Sequence, residues 1–357
     1  MAANKPELLD SEEAIGKIDT RGMLGVVARL PEMVAEAERF ADGVTVAKKG
    51  EIDKVVVLGM GGSAIAGDLA ADLLYKKCPV PIITNRQYTL PEYVGEKSLI
   101  VALSYSGDTE ETLSAAREAE RRKLPLICVT SGGKLKELAE KGRYPLFLIP
   151  TGYQPRAALP FMLVPLLVAL AKLGIIPPVA DEIRETGALL QKLVNEYGLA
   201  RPARNNPVKQ AAKKMLGKVP VLFGSVGTTG GAATRLKTQL NENSKMTALV
   251  GLFPELDHNE IVNLAELKRE AHNFSLLVLR DEEDNERVKK RIEITKSLVT
   301  RQVGGVSEIV SQGKNKLARL FSLIIYGDFL SVYLALLQGI DPTPVEVITR
   351  LKREMSR

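Results

Sequence analysis

One arrangement constrains this chain more than any other, and it occurs twice. A short β-branched run empties into a glycine- and serine-rich turn and then into a helix. In the first copy Lys54-Val55-Val56-Val57-Leu58 leads into Gly59-Met60-Gly61-Gly62-Ser63 and a helix-like stretch over 64–74. In the second, Val219-Pro220-Val221-Leu222-Phe223 leads into Gly224-Ser225-Val226-Gly227-Thr228-Thr229-Gly230-Gly231 and a helix over 232–240. Runs this apolar have no obvious solvent face, so they read as parallel strands covered on both sides. Such strands alternating with helices define a doubly wound α/β domain. The copies start at Lys54 and Lys218, 164 residues apart, which points to internal duplication.

The rest of the chain fits around these two units. Further strands are expected at 80–84, 99–103, 124–129 and 144–149 in the first, and near 246–250 and 276–279 in the second. A polar stretch over 201–206 marks the boundary, within 195–207. The expected division is a helical arm over 1–50, a first domain over 51–200 and a second over 201–357. The arm has apolar residues at helical spacing from Met23 to Phe40, with Pro31 as a break. A last helix is expected to begin at Pro344, a favoured first position, with Val345, Ile348, Leu351 and Met355 as its apolar face and Lys352 at the edge of that face.

Composition removes several function classes. Apolar residues are 45% and charged residues 26%, the profile of an ordinary globular chain, not a disordered or fibrous one. The net charge is +6, but basic and acidic residues alternate, so no nucleic-acid-binding arm stands out. The longest apolar run, 157–171, is interrupted by Pro160 and Pro165 and falls short of the ~20 residues a membrane helix needs, so it reads as a buried helix. The opening MAANKPELLDSEEAIG is polar and acidic and does not read as a signal peptide. Cys78 and Cys128, with no CxxC, read as reduced buried thiols of a cytoplasmic protein. With only His258 and His272 present, a multi-histidine metal site is excluded, and no metal is expected.

The turns carry the chemistry. A glycine-rich turn opening a helix presents free backbone N–H groups and the positive end of the helix dipole, and nearby hydroxyls add donors. That is an anion site in physical terms. The first domain has two such turns, Gly61-Gly62-Ser63 and Ser104-Tyr105-Ser106-Gly107-Asp108-Thr109, both at strand ends where this architecture binds ligands. The competing explanation is helix capping, since Ser, Thr and Asp serve that role anyway. Gly59-x-Gly61-x-x-Ala64 also fits a dinucleotide fingerprint. The next strand, however, ends in Thr84-Asn85-Arg86, with no acidic residue for a ribose and only Arg86 to meet an NADP phosphate. In the second copy the matching turn is Arg280-Asp281-Glu282-Glu283-Asp284, which would repel an anion, so one anion site per chain is expected.

The segments VVLGMGGSAIAGD, ALSYSGDTEET and TSGGKLKELA resemble the sugar isomerase (SIS) domain. GYQPRAALPFMLVPLL, QLNENSK and FPELDHNEIV resemble, more narrowly, the bifunctional phosphoglucose/phosphomannose isomerase family, and the similarity runs from Glu51 to the C-terminus. The resemblance implies two doubly wound SIS-type domains with central parallel sheets, an N-terminal helical arm and a C-terminal helix. It also implies an aldose–ketose isomerisation of hexose 6-phosphates through a cis-enediolate, with no cofactor. The phosphate is then expected on Gly61, Gly62, Ser63, Ser104, Ser106 and Thr109. Arg156 would steady the enediolate charge, and Glu242 would be the base. His258, given by the neighbouring subunit of a homodimer, and Lys352 would open the sugar ring. A base of this kind needs a carboxyl raised above the ordinary ~4.3, and burial just after Leu240 is expected to raise it. Thr343 is the candidate for tolerance of either epimer, and His272 matches no motif. No nucleic-acid or membrane partner is implied. The alternatives are a non-catalytic sugar-phosphate-binding protein and an NADP-linked oxidoreductase.

Overall fold

A computed structural model of the chain describes residues 8–47, 50–266 and 271–355. They divide into two compact units, one made of Arg29–Leu190 and Gly313–Leu320, the other of the residues through Ala28, Gln191–Gln312 and Phe321 onward. The stretch before Glu51 is therefore not one arm. Its helices Glu12–Gly16 and Met23–Ala28 belong to the second unit, and Leu30–Asp42, with Pro31 in its first turn, belongs to the first.

The first unit holds a five-stranded parallel sheet of β1 (Lys54–Leu58), β2 (Ile82–Asn85), β3 (Ser98–Ser104), β4 (Leu126–Thr130) and β5 (Leu146–Leu148), in the order β2-β1-β3-β4-β5. All seven residues of central β3 are buried, as expected for a strand covered on both faces. On one face Val56, Leu58, Ile100, Ala102 and Cys128 join Leu113, Ala116, Leu135 and Leu138 in a single apolar cluster. The helices Leu30–Asp42 and Gly61–Leu74 both pack on Leu159–Lys172, whose first twelve residues are all buried. Each large apolar side chain so removed from water contributes about 1.5–3 kcal/mol, which explains how the helix tolerates Pro165 in its interior.

The second unit repeats the plan with four parallel strands, β6 (Val219–Ser225), β7 (Leu249–Phe253), β8 (Phe274–Arg280) and β9 (Val306–Val310), in the order β7-β6-β8-β9. Its core gathers Val221, Phe223, Phe253, Leu276, Val278 and Ile292, with the Phe223 and Phe253 rings edge to face at 5.7 Å. Pro220 sits inside β6 without cost to the β7 ladder, because pairing with β7 begins one residue later, at Val221. Strand β9 is absent from the sequence reading. It is a half-exposed edge strand, VSEIV, without the continuous apolar run that marks its buried neighbours.

One helix differs from expectation. The C-terminal helix begins at Glu346, not Pro344. The Thr343 N–H donates to Asp341 Oδ1 (2.9 Å), which makes a turn there, and the first helical bonds run to the Val345 carbonyl. Its apolar residues do line up, but no residue of the helix is buried, and Val347 and Leu351 are 80% and 62% exposed. The run at 157–171 does form a buried helix, and a longer apolar helix, Lys316–Leu337, follows later in the chain. It is long enough to cross a membrane, yet its apolar window is wholly buried in the fold.

Burial pushes the Cys128 thiol up to about 12, whereas Cys78 is half-buried. A thiol reagent at pH 8 is expected to label Cys78 alone in the native protein and both cysteines in denaturant. Labelling of native Cys128 at a comparable rate would contradict this packing.

Candidate active site

The strand order of the first sheet locates its ligand site. In a β2-β1-β3-β4-β5 sheet the crossovers leave β1 and β3 in opposite directions, so a crevice opens between their carboxyl ends. The two hydroxyl-rich turns follow these two strands. They are joined directly, because the Tyr105 N–H donates to Ser63 Oγ (3.3 Å).

Capping does not account for the hydroxyls. Helix Gly61–Leu74 starts after Met60 with no side-chain cap and no acidic residue in its first turn. Helix Glu110–Arg121 starts after Thr109, whose hydroxyl makes no cap bond and instead accepts from Ser104 Oγ (2.9 Å). Ser104 Oγ also accepts from the Gly107 N–H (3.1 Å), and Ser106 Oγ accepts from the Asp108 N–H (3.3 Å). Both helix starts thus keep uncapped N–H groups beside a cluster of hydroxyls. Glu110 and Glu111 offset the dipole at the second helix, so the field on an anion comes chiefly from the Gly61 end. Ser63 and Ser104 are buried, Thr109 is half-buried and Ser106 is exposed.

Backbone contacts that tolerate no extra atom fix these turns. Gly107 has φ +76°, and a Cβ there would lie 1.8 Å from the Gly132 carbonyl oxygen. A Cβ on Gly62 would lie 2.8 Å from the Pro155 oxygen, so the first turn rests on the short turn Pro155–Ala157 that carries Arg156. The Tyr153 N–H donates to the Tyr105 hydroxyl (2.8 Å), which ties the same segment to the second turn. Arg156 is only 4% exposed. A third turn braces the other side, with Ser131 Oγ donating to the Tyr105 carbonyl (2.6 Å) and the Lys134 N–H to Asp108 Oδ1 (3.1 Å). Tyr105, Asp108 and Ser131 are absent from the sequence reading, because their contribution is tertiary and no local pattern marks it. Arg86, the residue on which an NADP reading rests, is paired with Asp68, so a 2′-phosphate would have to displace that carboxylate.

The equivalent crevice of the second sheet, between β6 and β8, is filled from within. Thr228 Oγ1 donates to Asp284 Oδ1 (2.6 Å), and the Asp281 N–H donates to Asp284 Oδ2 (2.9 Å). Asp281 and Asp284 are both buried there, so the Thr228 hydroxyl and the Asp281 N–H already serve a carboxylate, whose charge opposes an anion.

Glu242 is the last residue of helix Gly230–Glu242 and is half-buried, less enclosed than the sequence reading expects. The helix behind it is anchored by a buried cluster. The Arg235 guanidinium pairs with Asp328, Gln239 Nε2 donates to Asp328 Oδ1 (2.6 Å), and Asn243 Nδ2 donates to Ser331 Oγ (2.9 Å). A lone aspartate inside the apolar run of Lys316–Leu337 is the sequence signal that marks this anchor, since a buried carboxylate must be paired. His258 ends the turn Glu255–His258 and is exposed, while neighbouring Asp257 is held by Arg291 (3.1 Å) and Thr295 (2.7 Å). Thr343 is buried. Lys352 is exposed on the C-terminal helix, and His272 is exposed in the turn Ala271–Asn273.

Two parallel sheets of equivalent topology, with a hydroxyl-lined crevice in the first, make a two-sheet α/β protein with an anion-type site in its first half. Residues 51–149 match the SIS domain family, and 204–355 match the family described as bacterial phospho-glucose isomerase C-terminal SIS domain. Among solved structures, a glucose-6-phosphate isomerase like protein from Thermus thermophilus superposes with TM-score 0.64 at 19% identity, covering 97% of this chain and 98% of that one. A Caldicellulosiruptor bescii protein named bifunctional phosphoglucose/phosphomannose isomerase is 45% identical over 94% of this chain and 99% of its own. One of the same name from Thermoplasma volcanium is 35% identical over 87% and 93%. The chain belongs to the bifunctional phosphoglucose/phosphomannose isomerase family.

Replacing Asp328 by Ala leaves Arg235 buried without its carboxylate, and a broken buried pair costs about 3–5 kcal/mol. Urea denaturation is expected to show that loss, with Asp328→Asn intermediate. A loss under about 1 kcal/mol for Asp328→Ala would show that the pair is not an anchor.

Proposed function

We propose that the chain interconverts glucose 6-phosphate and mannose 6-phosphate with fructose 6-phosphate. The observation that carries this reading is the uncapped, hydroxyl-lined crevice between β1 and β3, which suits a phosphate monoester. The family membership supplies the reaction class. In this reading residues 51–200 hold the phosphate through Gly61, Gly62, Ser63, Ser104, Ser106 and Thr109, and residues 201–357 supply the base.

Glu242 takes the proton from C2 of the open-chain aldose. The C2–H electron pair becomes the C1–C2 double bond, and the carbonyl electrons move onto O1, where Arg156 offsets the negative charge. Return of the proton to C1 and loss of the O2 proton leave the C2 ketone, while O1 ends as a hydroxyl. Glucose and mannose phosphates differ only at C2, so deprotonation erases their difference and one base serves both. Thr343 is our candidate for the side chain that leaves room for either epimer. His258 and Lys352 open the ring by giving a proton to the ring oxygen and taking one from the O1 hydroxyl. The exposure of His258 fits donation to the site of a second copy, and hence a homodimer. Two unpaired cysteines suit a cytoplasmic setting. The chemistry asks for neither metal nor nucleotide.

The test is a coupled assay of each interconversion with a chelator present. Glu242→Gln and Glu242→Ala are expected to lose about 10²–10⁴-fold in turnover. Fructose 6-phosphate should still raise the thermal midpoint of both variants, because the phosphate cradle is untouched. Full activity in either variant would remove Glu242 from its role. Binding without turnover in the native protein would leave a sugar-phosphate sensor.

A further inference from the structure

Three non-glycine residues among those described adopt positive φ, and all three follow helix ends: Lys123 (56°), Arg143 (52°) and Lys245 (55°). Glycine is the ordinary occupant of such a position, because a side chain there strains the backbone. Lys123 and Arg143 make no side-chain hydrogen bond among the described residues. Lys245 is different. Its ammonium reaches the carbonyls of Glu242 (2.6 Å) and Asn243 (3.3 Å) on its own side, and those of Asp341 (3.3 Å) and Pro342 (3.0 Å) nearly a hundred residues away.

The first two contacts are helix capping, since the final carbonyls of a helix lack partners. The last two are not. They join the end of the helix that carries Glu242 to the segment leading into Thr343 and the helix of Lys352. That segment is itself a built knot. Asp341 Oδ1 accepts from the Thr343 N–H (2.9 Å), and Asp341 Oδ2 accepts from Thr20 Oγ1 (2.5 Å). On the near side Asn243 and Ser244 are buried, with Ser244 Oγ on the Ser331 carbonyl (2.6 Å) and Gln338 Nε2 on the Ser244 carbonyl (3.0 Å). Glu242 is thus flanked by a rigid buried cluster on one side and, on the other, by a chain segment reached through one ammonium.

We infer that Lys245 is a positioning residue for the isomerase reaction, holding the Glu242 carboxylate in register with the Asp341–Thr343 segment. The inference rests on Glu242 being the base. Strain at a backbone position persists where the surrounding structure gains from it, and here the gain is the placement of one carboxylate. Lysine suits the position because a single small ammonium can reach carbonyls on both segments, which glycine cannot.

The left-handed backbone makes a clean test possible. Lys245→Gly relieves the strain while deleting the ammonium, and Lys245→Asn, also compatible with that backbone, is a second deletion. Both are expected to fold with thermal midpoints near that of the native protein. Both should lose about ten- to a hundredfold in kcat for each sugar, the scale set by a misplacement of about 1 Å, with KM for fructose 6-phosphate within about threefold. Lys245→Arg, which restores a donor, should recover most of the lost kcat. Unchanged kcat in the Gly and Asn variants would overturn the inference. So would failure of both to fold, because the ammonium would then hold the fold rather than the carboxylate. Glu242→Gln separates the two claims. If it is inactive while Lys245→Gly is fully active, only the positioning role falls. If Glu242→Gln remains active, the assignment of the base falls first.

Discussion

Parallel strands cannot be joined by tight turns, and all nine strands among the described residues pair in parallel. Much else follows from that restriction. The chain must cross a face of the sheet to return, so helices cover both faces and the central strands become apolar. The crossovers start at the carboxyl ends of the strands, so helix N-termini gather along one edge. Reversal of the crossovers beside β1 and β3 leaves a crevice there. Polarised N–H groups collect in that crevice before any side chain is chosen.

Side chains then decide what the crevice does. In the first unit they are serines and threonines that leave the helix ends uncapped. In the second unit, built on an equivalent strand order, Asp284 takes up the Thr228 hydroxyl and the Asp281 N–H. The repeated strand order provides two equivalent places, and a few residues make them opposite in character. What the second unit carries instead is the helix that ends at Glu242, fixed by a buried arginine–aspartate pair. Such a pair is costly to desolvate, and what it contributes in return is specificity of position.

Most of this architecture was legible in the residues. Apolar runs such as LIVAL and the turns after them locate the buried strands within about three residues, because a buried parallel strand has nowhere to put a polar side chain. Edge strand β9 was not legible, since a half-exposed alternation of five residues resembles a loop. The division of the N-terminal stretch at Ala28 was not legible either, because it depends on which core each helix faces. At the candidate site, the glycines and hydroxyls stand out by spacing, and the structure puts them in the turns after β1 and β3. The bracing by Tyr105, Ser131 and Lys245 did not, because each acts through tertiary contacts, and those of Lys245 span almost a hundred residues.

The interlocked glycines have a thermodynamic corollary. With Gly107 against the Gly132 carbonyl and Gly62 against Pro155, the turns around the crevice are packed backbone to backbone, with no room for a side chain at either glycine. Contacts made on folding are not subtracted again from the affinity of whatever the turns hold. In the proposed reading, a phosphate monoester would meet turns whose backbone contacts are already made by the folded chain.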